Sequence, residues 1–292
     1  MVAVADYGSR SIESGPGGES LSAPPSAKSR SLFEPTDPVY PRLQKCGLLA
    51  DTMALLLSEL AAGFPLEEIS RRLSEGSLLS LRSEDGRNNV LAALRVRLLC
   101  ASRPLPGHVP LSAWLARTVS PLARNQVLLP YLLRGDTATF RLLTRLVLPI
   151  IHSGRPITVD EVIQDLSLLL AEERRKTWSP YLQRRWSRGV LSVLRDVGAL
   201  TREGGREQLT GYDVRPEVLS FHLWGLWNDG YRGRDLFDPA FWKLLLLDEA
   251  AAREGVRRVA ELRWWRISSI GGVDEVRPEY PTLEEWIEHG LG

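Results

Sequence analysis

Residues 174–195 read RRKTWSPYLQRRWSRGVLSVLR and carry Arg174, Arg175, Lys176, Arg184, Arg185, Arg188 and Arg195 without one acidic side chain. The whole chain is almost balanced, with 37 basic and 36 acidic residues, so the run is a local feature and not a bulk property. Ser179 is placed as a helix N-cap, and Pro180 suits the first helical position, where a missing N–H costs nothing. Wound at about 100° per residue, Leu182, Trp186, Val190, Val193, Leu194 and Val197 gather on one side. Arg184, Arg188 and Arg195 share the opposite side, with Arg185 beside them. One face packs and the other presents guanidinium groups outward.

Working outward, Thr158 and Glu161 stand at capping-box spacing ahead of the apolar pattern ITVDEVIQDLSLLL, which predicts a helix through about Leu170. After the basic helix, ALTREGGREQLTGYDV predicts two short strands around Gly204–Gly205, a good hairpin turn pair, with Arg202 and Arg206 flanking the turn. Helix, basic amphipathic helix and hairpin is the order of a winged helix-turn-helix, in which the second helix enters the major groove and the wing contacts backbone or minor groove. The connection from Ala171 to Ser179 is longer than such turns usually are. Trp178, beside the cap, is read as an anchor in the core.

Upstream, residues 1–40 are rich in Ser, Gly and Pro and predict a disordered tail. From 41 to 153 the apolar spacing predicts a helical domain. Its segments are GLLADTMALLLSELAAG stopped at Gly63, PLEEISRRLSEG, SEDGRNNVLAALRVRLLCA, LSAWLARTV, ARNQVLLPYLLRG and DTATFRLLTRLVLPIIHSG. Pro104, Pro106 and Pro110 are expected to break the chain, and Pro130 and Pro149 to kink or break helices. Residues 154–215 form the winged-helix-like domain. Residues 216–292 form a mostly helical extension, including DPAFWKLLLLDEAAA as one apolar helix entered at Asp238–Pro239 and TLEEWIEHG as a short closing helix. VRRVAELRWWRISSIGG carries both helix and strand character. Five tryptophans, Trp224, Trp227, Trp242, Trp264 and Trp265, are expected to pack this late layer onto the bundle. The fold class is therefore mainly α: a helical bundle followed by a winged helix-turn-helix-like domain with one small β-hairpin.

The remaining chemistry is sparse. The hydrophobic share of 43% and charged share of 25% are those of a globular protein, and +1 net charge gives no global attraction to nucleic acid or membrane. No secretory signal is read at the N-terminus, and no apolar run approaches a membrane span. With only Cys46 and Cys100, reduced buried thiols in a cytoplasmic protein are expected. His108, His152, His222 and His289 are scattered, without ligand spacing, and there is no phosphate loop, nucleophile elbow or carboxylate pair. No catalytic residue, metal or cofactor is expected.

The segments GLLADTMALLLSEL, SEDGRNNVLAALRVRLL, TVDEVIQDL and TWSPYLQRRWSRGVLSVLRDVGAL, in that order, resemble the BrxA family of bacteriophage exclusion (BREX) islands over roughly residues 41–225. The resemblance implies a mainly helical, non-enzymatic DNA-binding protein of a bacterial defence system. Such systems methylate host DNA at short non-palindromic sites and block replication of unmethylated phage DNA. It also implies a methyltransferase, an ATPase and an alkaline-phosphatase-like protein as candidate partners. The long N-terminal stretch and the Trp-rich C-terminal extension depart from the family.

The charge and helix argument alone selects the DNA-contact residues. Arg184, Arg185 and Arg188 face the groove, with Arg174, Arg175 and Lys176 on the approach. Arg195 lies farther along the same face, and Arg202 and Arg206 are on the wing. A protein–protein adaptor and a winged-helix transcriptional repressor are the other readings of the same face. A repressor would need a dimer, and no heptad seam is long enough for one, so a monomer is expected.

Overall fold

The structure is a computed structural model that describes residues 48–76, 83–99, 104–173, 178–204, 206–270 and 273–291. The expected tail 1–40, both cysteines (Cys46 and Cys100) and the basic approach Arg174, Arg175 and Lys176 lie outside the described residues.

The first helices follow their apolar spacing. They are α1 (Ala50–Ala61), α2 (Leu66–Ser74), α3 (Glu84–Leu94, capped by Ser83) and α4 (His108–Arg117). Pro110, expected to break the chain, instead sits in the first turn of α4, where its absent N–H has no intrahelical partner to lose. α5 (Pro121–Gly135) runs through Pro130 without a break, and the residues from Gln126 to Leu133 are all buried. α6 (Thr137–Leu142) continues as a wide π-turn over Leu143–Val147 and a tight 3-10 turn over Leu148–Ile150, so the expected disturbance at Pro149 is present.

α7 (Val159–Glu172) begins with the reciprocal capping box: Glu161 N–H donates to Thr158 Oγ1 at 3.2 Å, and Thr158 N–H donates to Glu161 Oε2 at 2.8 Å. α8 (Pro180–Asp196) starts where Ser179 accepts from Leu182 N–H. The hairpin of β1 (Leu200–Glu203) and β2 (Arg206–Leu209) pairs Leu200 with Leu209, and both are buried. Gly204 takes φ +55° at its tip. The sequence did not announce an isolated β-bridge beside β2, between Pro156 and Gln208: Ile157 N–H donates to Glu207 O and Leu209 N–H to Arg155 O, both at 3.0 Å. Residues 155–157 thus flank β2 just ahead of α7, which gives the order bridge, helix, helix, hairpin.

The C-terminal part departs most from expectation. α9 (Pro216–Asn228) forms as read, but DPAFWKLLLLDEAAA is not one helix. It divides into α10 (Pro239–Trp242), a 3-10 turn over Lys243–Leu245, and α11 (Glu249–Glu261). Leu246 turns left-handed (φ 55°), and Asp248 then caps α11 by accepting from Ala251 N–H at 2.8 Å. A second hairpin of β3 (Trp265–Ile270) and β4 (Val273–Pro278) corrects the expectation of one, and α12 (Leu283–His289) ends the described chain after its Thr282 cap.

Two corners of the fold are built alike. After α8, Gly198 N–H donates to Arg195 O and Ala199 N–H to Leu194 O; after α11, Arg263 N–H donates to Ala260 O and Trp264 N–H to Val259 O. Both are Schellman ends with a left-handed residue, Gly198 (φ 79°) and Arg263 (φ 58°), and both run directly into a hairpin. The residue after each hairpin closes it in the same way, Thr210 N–H on Ala199 O and Glu279 N–H on Trp264 O. Helix, left-handed corner and hairpin therefore occur twice.

Buried apolar side chains form one continuous cluster reaching from Leu48 to Ile287. Gln126 in α5 ties the winged unit to the rest. Its amide nitrogen donates to Val197 O (3.1 Å) and Asp213 O (2.9 Å), and its oxygen accepts from Arg215 N–H (2.9 Å). The tryptophans pack as expected: Trp224, Trp242 and Trp265 are buried, Trp227 and Trp264 are half-buried, and Trp224 lies 5.3 Å from Trp265. No helix among the described residues is long and apolar enough to cross a membrane.

Candidate nucleic-acid interface

Helix α8 divides by its own periodicity. Trp186, Val190, Leu191, Val193 and Leu194 are buried, and Val197 beyond the end is buried with them. Trp178 sits half-buried against the core, edge-on to Trp186 at 5.7 Å, so it anchors the start of the helix from inside. Tyr181, Arg184, Arg185, Arg188 and Arg195 are exposed. These positions follow the 3- and 4-residue spacing of one helical face.

The partners of these arginines differ. Arg184 reaches Asp160 at 3.5 Å across to the first turn of α7, with side chains 55% and 81% exposed. A pair this open is worth at most about 1 kcal/mol and releases its arginine readily. Arg195 pairs with Glu207 on β2 and so straps the helix to the wing. Arg185, Arg188, Arg202 and Arg206 make no ion pair or side-chain hydrogen bond among the described residues, and all four are exposed.

The two wing arginines do not share a face. Arg202 stands opposite Glu207 and Arg206 opposite Glu203, and cross-strand partners project to the same side of a hairpin. Arg202 therefore shares the side of Glu207, to which Arg195 is bonded, while Arg206 occupies the other side. The structure brings Arg184, Arg185 and Arg188 together on one face and separates Arg206 from Arg202.

Acidic side chains near α8 are already matched by other cations. Arg145 lies 3.2 Å from Asp165 and 2.7 Å from Glu172, Arg141 pairs with Glu173, and Arg155 lies 3.1 Å from Glu161. Burial pushes the Asp165 carboxyl above its ordinary pKa, against the opposing pull of Arg145. Asp196, the one acid within α8, lies eight residues beyond Arg188, roughly 12 Å along the axis. The middle of α8 thus carries Arg185 and Arg188 with no acidic partner among the described residues, while these carboxylates of α7 and its C-cap are held by other arginines.

Sequence reasoning missed two contributors. The bridge at Pro156 was signalled only by a buried Ile157 between Gly154 and the Thr158 cap. Tyr181 was visible as the residue after Pro180, on the arginine side of the helical wheel. Among the described residues there is no group of three or more His, Cys, Asp and Glu side chains placed to hold a metal ion. No protein-family model and no curated protein matches the chain.

Proposed function

We propose that this protein binds duplex DNA, with α8 in the major groove and the β1–β2 hairpin against the flanking backbone, as a non-enzymatic accessory of a BREX-type phage-defence system. The observation that carries the DNA reading is the uncompensated face of α8. Arg185 and Arg188 have no partner among the described residues, Arg184 is held only by an open pair to Asp160, and Asp165, Glu172 and Glu161 of α7 are matched by other arginines. An exposed helix preceded by a helix and followed by a hairpin is the geometry in which such a face meets a groove. The place in phage defence rests on the order of segments that resembles BrxA. On that reading the BREX methyltransferase, ATPase and phosphatase-like protein are its candidate partners.

Contacts of this kind are mostly to phosphates, so affinity should fall steeply as salt rises. The test is fluorescence anisotropy of a labelled mixed-sequence duplex against the full chain over a salt series. The triple variant Arg184→Glu, Arg185→Glu, Arg188→Glu runs beside it, with circular dichroism to establish that it folds. The parent is expected to bind with a steep salt slope, and the folded variant to lose most of both affinity and slope. Equal, weak binding by parent and variant would overturn the DNA reading and leave the basic face to an acidic protein partner.

A further inference from the structure

Tyr181 is 72% exposed in the first turn of α8, one turn ahead of Arg184 and Arg185 and two turns ahead of Arg188. It is the largest exposed hydrophobic side chain on that helix, and it takes part in no hydrogen bond or ring contact among the described residues. Among the described residues the other exposed aromatic, Phe64, is covered by the Arg72 guanidinium 5.1 Å from its ring centre. No contact among the described residues accounts for the exposure of Tyr181. Its backbone is held firmly, because Pro180 fixes the first helical φ and Ser179 caps the turn. A phenol on a rigid helix start adds contact area at little entropic cost, since only two side-chain torsions must be fixed.

The position has chemical meaning if α8 lies in the major groove, because there the N-terminal residues of the second helix meet base edges. Arginines on the same face can satisfy phosphates or guanine. An aromatic ring needs an apolar surface, and the 5-methyl group of thymine is the apolar group that base edges display in that groove. We propose that Tyr181 is the sequence-reading residue of this interface, packing its ring against a thymine methyl in duplex DNA. This inference rests on the DNA reading above and adds to it a residue and a base.

The test begins with selection from a randomised duplex library by the full chain and by Tyr181→Ala. The selected duplex is then compared with the same duplex carrying deoxyuridine for each thymine in turn. The parent should enrich a site with a fixed thymine, and deoxyuridine there should weaken it about fourfold, the effect of one buried methyl group. Tyr181→Ala should keep a salt-dependent affinity for mixed-sequence duplex, with the parent's salt slope, but lose the preference at that position and be indifferent to deoxyuridine. Tyr181→Phe, which keeps the ring, should keep the sensitivity.

Failure separates cleanly from failure of the DNA reading. If the parent binds duplex but enriches no sequence, or if Tyr181→Ala keeps the parent's preference and deoxyuridine sensitivity, the Tyr181 assignment is overturned while DNA binding stands. If the parent shows no salt-dependent duplex binding, the DNA reading itself falls. Tyr181 is exposed, so the variants should melt with the parent, and a thermal scan confirms that they are folded.

Discussion

Arg195, in the last turn of α8, forms an ion pair with Glu207 in the middle of β2, and so joins the basic helix to the wing. The arginine is 37% exposed and the glutamate 18%, so solvent screens the pair only in part. Its charge is already answered within the protein, which makes it a poor donor to phosphate. Arg195→Ala should therefore lower the unfolding free energy by about 1 kcal/mol. It should reduce DNA affinity much less than Arg188→Ala does. Urea unfolding and anisotropy on the same samples measure both, and an affinity loss equal to that of Arg188→Ala would place Arg195 among the contacts.

Arg185 and Arg188 give the reverse pattern. Neither has a partner among the described residues, so Arg185→Ala and Arg188→Ala should each leave stability within about 0.5 kcal/mol of the parent. Each should reduce the slope of log affinity against log salt by about one unit, the loss of a single phosphate neutralisation. A variant that keeps the full slope identifies an arginine pointing away from the backbone.

The contrast among these arginines marks what the sequence could convey. Helical periodicity separated the two faces of α8, and local chemistry announced the Thr158 and Ser179 caps, because each depends on residues within a turn. The partner of Arg195 lies twelve residues away on a strand, and only the folded register reveals it. The second hairpin was legible in principle. The sequence between its strands is Gly271–Gly272, the same dipeptide as Gly204–Gly205, but ELRWWRISSI before it mixes helix-forming and β-branched residues, and the boundary at Arg263 is a left-handed residue that is not glycine. The split of DPAFWKLLLLDEAAA was hidden for a similar reason. Four consecutive leucines look helical, yet Leu246 turns left-handed and Asp248 caps a new helix.

The two alike corners make a paired prediction about backbone strain. At the α8 corner the left-handed position holds Gly198, and at the α11 corner it holds Arg263. A side chain in that conformation costs about 1 kcal/mol relative to glycine. The Arg263 side chain is exposed and makes no ion pair among the described residues. Arg263→Gly should therefore stabilise the protein by up to about 1 kcal/mol. Gly198→Ala should destabilise it by about 1 kcal/mol through the left-handed backbone, since the Leu122 Cδ1 that the new Cβ would meet at 2.9 Å is the end of an exposed side chain and can move aside. Thermal melts of the two variants should shift in opposite directions, and a fall in melting temperature for Arg263→Gly would show that the arginine does unseen work at that corner.

His222 on α9 gives the pH dependence of stability. The ring is fully buried among Tyr131, Phe221 and Phe241, with centroid distances of 6.1, 5.5 and 6.3 Å. Its Nε2 lies 3.1 Å from Val127 O, so Nε2–H donates and Nδ1 carries the lone pair in an apolar pocket. Burial lowers the pKa to about 3, only weakly opposed by the bond to Val127, while burial holds the neighbouring Tyr131 hydroxyl protonated. In the unfolded chain the imidazole titrates near 6.5, so between about pH 6.5 and pH 3 the unfolded state binds a proton that the folded state refuses. The stability that depends on neutral His222 is complete above pH 6.5 and is lost as pH falls. Between pH 7 and pH 4.5 this one group should account for on the order of 2 kcal/mol of lost stability. His222→Gln, which keeps a donor for Val127 O and cannot ionise, should be less stable at pH 7 but markedly flatter with pH. Urea unfolding at pH 7, 5.5 and 4.5 decides it: an equal acid slope in parent and variant would move the sensitivity to the carboxylates.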